Sequence, residues 1–184
     1  MSPRTVWALG ICLAAACSRE NSPNATTDTA SSPGPTAQAT TLMTFDGVGR
    51  ARIGTTATQL QEIGALPNAG KAGDASCRMV ALDWLPAGVH VMLVNDTVVR
   101  IDADSTSTLK TIDGAGIGDT EARIHQLYAR VETQPHKYVP NGHYLSVASP
   151  NDSTRRIVFE TDGNAVKTYR VGRRPEVDFV ERCG

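Results

Sequence analysis

The densest run of chemically capable side chains in this 184-residue sequence is Pro135-His136-Lys137-Tyr138-Val139-Pro140-Asn141-Gly142-His143-Tyr144. Imidazoles ligate metals, but His136 and His143 have no cysteine or carboxylate at ligand spacing, so no metal is expected. Aromatic anchors and a cation on a rigid turn suit recognition of another protein, which makes His136, Lys137, Tyr138, His143 and Tyr144 candidate partner-binding residues. The alternative is a long hairpin connection whose Tyr138 and Tyr144 pack on a sheet. Hydrolytic chemistry has less to work with, because no Gly-x-Ser-x-Gly or His-Glu-x-x-His pattern occurs. His125 lies four residues after Glu121, the spacing of an ordinary pair on a helix surface, and no base is assigned to Ser146 or Ser149. Gly47-Val48-Gly49 and Gly114-Ala115-Gly116-Ile117-Gly118 precede helical patterns but lack the strand-loop-lysine context of a phosphate loop. No enzyme activity and no cofactor are expected.

An internal repeat positions these residues. Thr44-Phe45-Asp46-Gly47-Val48-Gly49 returns as Thr111-Ile112-Asp113-Gly114-Ala115-Gly116. Ile53-Gly54-Thr55-Thr56-Ala57-Thr58-Gln59-Leu60-Gln61-Glu62-Ile63 then matches Ile117-Gly118-Asp119-Thr120-Glu121-Ala122-Arg123-Ile124-His125-Gln126-Leu127. Each copy predicts a glycine turn, an N-cap at Thr55 or Asp119, and a short amphipathic helix burying Leu60 and Ile63, or Ile124, Leu127 and Tyr128. Strands follow: Cys77 to Leu82, Val89 to Val94 and Val98 to Ala103, then His143 to Ala148, Arg155 to Thr161, Ala165 to Val171 and a last one over Val177 to Glu181. Helix before strands argues for an α+β fold, two tandem helix-then-antiparallel-strand units forming one sheet with short helices on one face. Alternation of Ile157 and Phe159 with Arg156 and Glu160 predicts that the other face meets water.

At the other end of the chain, Arg4 precedes an apolar run from Val6 to Ala16, too short to span a bilayer but suited to an export leader over residues 1–16. Leu13-Ala14-Ala15-Ala16-Cys17 resembles the lipobox of bacterial lipoproteins, whose cysteine is acylated and becomes the new N-terminus. Ala14 stands where such boxes most often carry Leu, and a plain secretory signal is the alternative. The resemblance implies lipidation at Cys17 and, because Ser18 follows it rather than aspartate, an outer-membrane anchor facing the periplasm. Residues 17–41, rich in Ser, Thr, Pro and Asn, read as a tether with a reach of roughly 25 to 30 Å. The remaining 42–184 suit one domain, its two repeats meeting near 108 and 109.

With Cys12 in the leader and Cys17 lipidated, Cys77 and Cys183 remain for one disulfide, worth roughly 4 to 5 kcal/mol in the chain-entropy model. A reactive thiol or metal-ligand pair is the other reading, but neither cysteine has a cysteine or histidine at ligand spacing. The 18 Lys and Arg nearly balance 19 Asp and Glu, and without a basic stripe nucleic acid is not an expected partner. The pairs Arg155-Arg156 and Arg173-Arg174 read as solvated strand positions among Glu160, Glu176, Asp178 and Glu181.

The segment Ile53 to Leu60, with Gly64 and Pro67 after it, resembles the Gly-Met-Thr-x-x-Gln-Val opening and Gly-x-Pro close of small outer-membrane lipoproteins of the SmpA/OmlA (BamE) type. Thr55 replaces the usual Met. It is also similar to the repeats of the β-lactamase inhibitory protein, built from two tandem helix-then-strand units. The resemblance implies a non-catalytic, lipid-anchored module that binds an envelope protein, supporting outer-membrane assembly or maintenance. Its alternatives are an inhibitor of an envelope-active or foreign hydrolase, and a small-ligand receptor or enzyme.

Overall fold

Residues 41–64, 66 and 76–183 are described by a computed structural model of the chain. The expected leader, Cys17, the tether up to residue 40 and Pro67 lie outside the described residues. Along the chain run β1 (Leu42–Thr44), β2 (Gly47–Val48), β3 (Ala51–Arg52), α1 (Ala57–Ile63), β4 (Cys77–Ala81), β5 (Val89–Val94), β6 (Thr97–Ala103), β7 (Lys110–Thr111), α2 (Glu121–Leu127), β8 (Glu132–Pro135), β9 (His143–Ala148), β10 (Arg155–Thr161) and β11 (Val166–Arg173). A 3-10 turn at Glu176–Asp178 follows. The class is α+β.

The strands make two sheets rather than the expected one: a small sheet in the order β3-β2-β1-β7 and a seven-stranded sheet in the order β4-β5-β6-β11-β10-β9-β8. The small sheet arises because the two glycine blocks pair with each other. Leu42 and Met43 lie parallel to Lys110 and Thr111, and the Ile112 amide donates to the Met43 carbonyl at 2.9 Å. Gly47 makes the tight return from β1 to β2. Its φ is +130°, and a Cβ there would stand 2.2 Å from the Ala51 carbonyl oxygen, so no other residue fits.

Both helices start one residue later than their expected caps. The Thr56 hydroxyl accepts from the Gln59 amide at 3.2 Å while the Gln59 side chain accepts from the Thr56 amide at 2.9 Å, a capping box. Thr120 caps α2 by accepting from the Arg123 amide at 3.2 Å. Asp119 is occupied elsewhere: its carboxylate accepts from the Gly116 amide at 2.7 Å and from Lys110 Nζ at 3.2 Å. The turns before the helices are bonded alike to the large sheet. The Gly54 amide donates to the Val98 carbonyl and the Val98 amide to Thr55, at 2.8 and 2.9 Å. The Gly118 amide donates to Val166 and the Val166 amide to Asp119, both at 2.9 Å.

Strands β6 and β11 meet at the centre of the large sheet, with Ile101 opposite Val171, Asp102 opposite Arg170 and Ala103 opposite Tyr169. Asn95 and Asp96, both at positive φ, make the tight reversal from β5 to β6. Strand β8 escaped the sequence reading because Glu-Thr-Gln-Pro carries no apolar alternation; its residues are all exposed at the sheet edge. On the inner face Leu60 and Ile124 join Val91, Ile101, Leu145 and Phe159 in one core. Tyr128, Phe159 and Tyr169 run through it with ring centres 5.8 and 5.5 Å apart. The two tyrosines keep their hydroxyls satisfied, Tyr128 with Thr111 and Tyr169 with the Leu109 carbonyl, each at 2.8 Å.

The centre of the outer face is shielded from water. Arg100, Arg156 and Arg170, on the face expected to be solvated, are only 2%, 7% and 3% exposed. The expected last strand is instead the 3-10 turn and an irregular, bent strap through Cys183 that crosses this face. It forms no ladder because its carbonyls are taken by arginine side chains. Arg100 Nη1 donates to Glu176 at 3.3 Å and to Phe179 at 2.6 Å, and Arg170 Nε donates to Val177 at 2.6 Å.

Leu60 is fully buried on α1. Leu60→Ala should cost about 2 to 5 kcal/mol in urea unfolding of the folded domain, against about 1 kcal/mol for loss of the cap in Thr56→Ala.

Candidate functional site

His136, Lys137, Tyr138 and His143 line one small cleft of about 300 Å³, with Tyr144 stacked on His136, but their hydrogen-bond partners lie on two sides. His136, Lys137, Tyr138 and Tyr144 face the strap, whereas His143 faces α2. Lys137 Nζ donates to Glu181 Oε1 at 2.9 Å, and the Tyr138 hydroxyl donates to the same oxygen. The Lys137 ammonium also lies 4.9 Å from the Tyr138 ring centre. The hydrogen bonds from Tyr138 and then Lys137 hold the Glu181 carboxyl down at about 2.

His136 organises the loop from within. Its Nδ1 accepts from the amides of Tyr138 and Val139 at 3.1 and 3.2 Å, which leaves the proton on Nε2, 3.8 Å from Glu160 Oε2. Its ring stacks on Tyr144 with centres 4.5 Å apart. Tyr144 is buried among Val158, Val177 and Val180, and burial pushes its hydroxyl up from the ordinary value.

His143 Nδ1 lies 2.8 Å from Glu121 Oε1, so Glu121 is engaged here and not with His125 as the helix spacing suggested. The Thr161 hydroxyl donates to the same carboxylate oxygen and accepts from the His143 amide at 3.0 Å. The hydroxyl sits on the carboxylate and not on an imidazole nitrogen, so the hydroxyl-to-imidazole contact of a Ser-His pair is not formed here. Partial burial alone would raise the Glu121 carboxyl, but the bonds from Thr161 and His143 outweigh it and hold it below its ordinary value. Among the described residues no group of three or more His, Cys, Asp or Glu is placed to hold a metal ion.

The buried ions behind the strap were missed, although charges at Arg100 and Asp102 inside an apolar strand were a readable signal. Arg100 Nε and Nη2 donate to the two oxygens of Asp102 at 2.9 and 2.5 Å, and Arg170 Nη1 donates to Glu160. Burial, then the neighbouring Arg100, pulls the Arg170 guanidinium below its ordinary value, with Glu160 opposing. Arg156, expected in solvent, bonds Glu132 at 3.0 Å and Ser146 at 3.3 Å. Cys77 and Cys183 form a disulfide with Cα atoms 5.6 Å apart, closing a separation of 106 residues and fixing the far end of the strap to β4.

A second surface lies where α2 ends. Phe45, Leu127, Tyr128, Val131, Val147 and Pro150 line a groove of about 1020 Å³. An adjoining cleft of about 390 Å³ shares Phe45 and Pro150 and adds Ile112, which is 60% exposed. Strand β8 pairs with β9 only over His143 to Ser146, so Val147 and Ala148 border the groove without a strand partner on that side among the described residues. Comparison of the chain with protein-family models, with curated proteins and with solved structures finds no match.

Removing one member of a buried pair strands the other. Arg170→Met should lower unfolding stability by about 3 to 5 kcal/mol, and adding Glu160→Leu should restore most of it. For Glu121 the sign follows from its lowered carboxyl: its contribution is complete above the ordinary glutamate value of 4.5 and fades as pH falls through the folded-state value. Stability measured from pH 7 down to pH 3 should therefore fall less steeply in Glu121→Gln than in the parent chain.

Proposed function

We propose that this chain is a lipid-anchored periplasmic module of the bacterial envelope that binds another protein and performs no catalysis. The N-terminal pattern ending at Cys17 supports the address, and the groove around Phe45 is the observation that carries the binding reading. A concave apolar surface whose exposed anchor is Ile112, bordered by an unpaired stretch of β9, suits an extended or helical segment of a partner. The polar loop at Pro135 to Tyr144 is a weaker contact, because Lys137 and Tyr138 are already engaged by Glu181.

We also read the two halves as copies of one helix-then-strand unit, about 42–108 and 109–184. The matched hydrogen bonds around Gly54 and Gly118, and the symmetric register of β6 against β11 about Asp102 and Arg170, support that reading. A fold with two such units and one groove between α2 and β9 fits a support role in outer-membrane assembly or maintenance.

The test is affinity capture of the tagged full-length chain from crosslinked envelopes, with mass spectrometry of captured proteins and of its own N-terminus. Acylated Cys17 and one or a few specific partners are expected, lost in an Ile112→Asp/Val131→Asp variant that retains its unfolding midpoint. Capture unchanged by that variant would remove the groove from the interface, and an unmodified N-terminus would remove the anchor.

A further inference from the structure

The strap from Pro175 to Cys183 is held the way a bound peptide is held. Its main-chain carbonyls at Glu176, Val177 and Phe179 accept from the buried Arg100 and Arg170. Two aliphatic side chains three residues apart, Val177 and Val180, sit with Tyr144 and Val158. The next residue, Glu181, is clasped by Lys137 and Tyr138 of the loop between β8 and β9. Arg182 Nε stands 3.8 Å from Asp102, and Cys183 closes the disulfide to Cys77. Main-chain capture gives affinity for any segment that turns as the strap does, while the side-chain positions select among them. A cleft of about 620 Å³ remains open between Phe179, Met92 and the disulfide, so the strap does not fill the surface it crosses.

We infer that the outer face of the seven-stranded sheet is a peptide-binding surface whose resident occupant is the chain's own strap. The partner it fits is a segment that makes one 3-10 turn and so brings two β-branched aliphatics three residues apart onto one face, followed directly by an acidic residue. The loop singled out by its histidines and tyrosines is then the specificity element of this surface, reading the acidic residue through Lys137 and Tyr138. The Cys77–Cys183 bond ties the strap to β4 and so keeps it in place. This inference concerns the strap-covered face and stands apart from the groove at Phe45.

The experiment uses the full chain carrying Cys183→Ser, which frees the Cys77 thiol, with and without Val177→Asp to weaken the resident strap. The probe is a synthetic peptide copying residues 174–183, its cysteine activated as a mixed disulfide with thionitrobenzoate. Cys77 thiolate attacks the peptide sulfur, one disulfide forms as another breaks, and thionitrobenzoate leaves and is read by its absorbance. Mass mapping assigns the adduct to Cys77. The native-sequence peptide should react about tenfold faster or more than peptides carrying Val177→Asn/Val180→Asn or Glu181→Lys. Lys137→Glu in the chain should erase its advantage over the Glu181→Lys peptide. In the chain with Cys183→Ser alone, the same order should hold at higher peptide concentration, because the resident strap competes. Equal rates for all three peptides in both chains would overturn the inference.

Discussion

Everything on the outer face of this protein depends on the side chains of two buried arginines. Arg100 and Arg170 lie on the two central strands, at or beside the point about which the register of β6 and β11 is symmetric. A guanidinium taken out of water demands partners in several directions at once. Asp102 and Glu160 neutralise the charge, but donors remain, and the carbonyls of Glu176, Val177 and Phe179 take them. The strap crosses the sheet because that is where the unmet donors are.

The two faces of the sheet therefore obey different rules. The inner face is an apolar core in which Leu60 and Ile124 from the helices close over Val91, Ile101 and Phe159, and only shape and volume are specified. The outer face is specified by direction, because each hydrogen bond fixes both an atom and an angle. Main-chain carbonyls, not side chains, are what the arginines recognise, so the requirement they impose falls on the strap's turned path more than on its composition.

Much of the inner architecture was legible in the sequence and much of the outer was not, for a common reason. Apolar periodicity announces Leu60, Ile124 and the strands from β4 to β6 and from β9 to β11, because burial of hydrocarbon is a property of single residues at a fixed period. Cys77 and Cys183 were legible by elimination once the two earlier cysteines were set aside. The charges at Arg100, Arg156 and Arg170 follow the same alternation as solvated residues, and alternation alone does not tell a charge facing water from one facing a strap, 76 residues on for Arg100 and 7 for Arg170. The small sheet was hidden for a related reason: its strands are two or three residues long, and their pairing of Met43 with Thr111 is between turns, not between patterned segments. The caps moved from Thr55 and Asp119 to Thr56 and Thr120 because Asp119 had a better use for its carboxylate against Gly116 and Lys110.

An apolar outer face would have held a strap as firmly, since well-packed hydrophobic residues commonly equal or exceed buried ion pairs in stability. What the ionic face adds is dependence on an occupant whose main chain presents carbonyls in the right places. Arginines left bare by departure of the strap keep their carboxylate partners, Asp102 and Glu160, and so remain soluble and paired while the strap is away. A bare apolar face of that size would invite aggregation. Charge-neutral pairs with spare donors thus permit a surface that is covered in one state and tolerable in another. The disulfide then supplies by covalent means the permanence that the arginines do not.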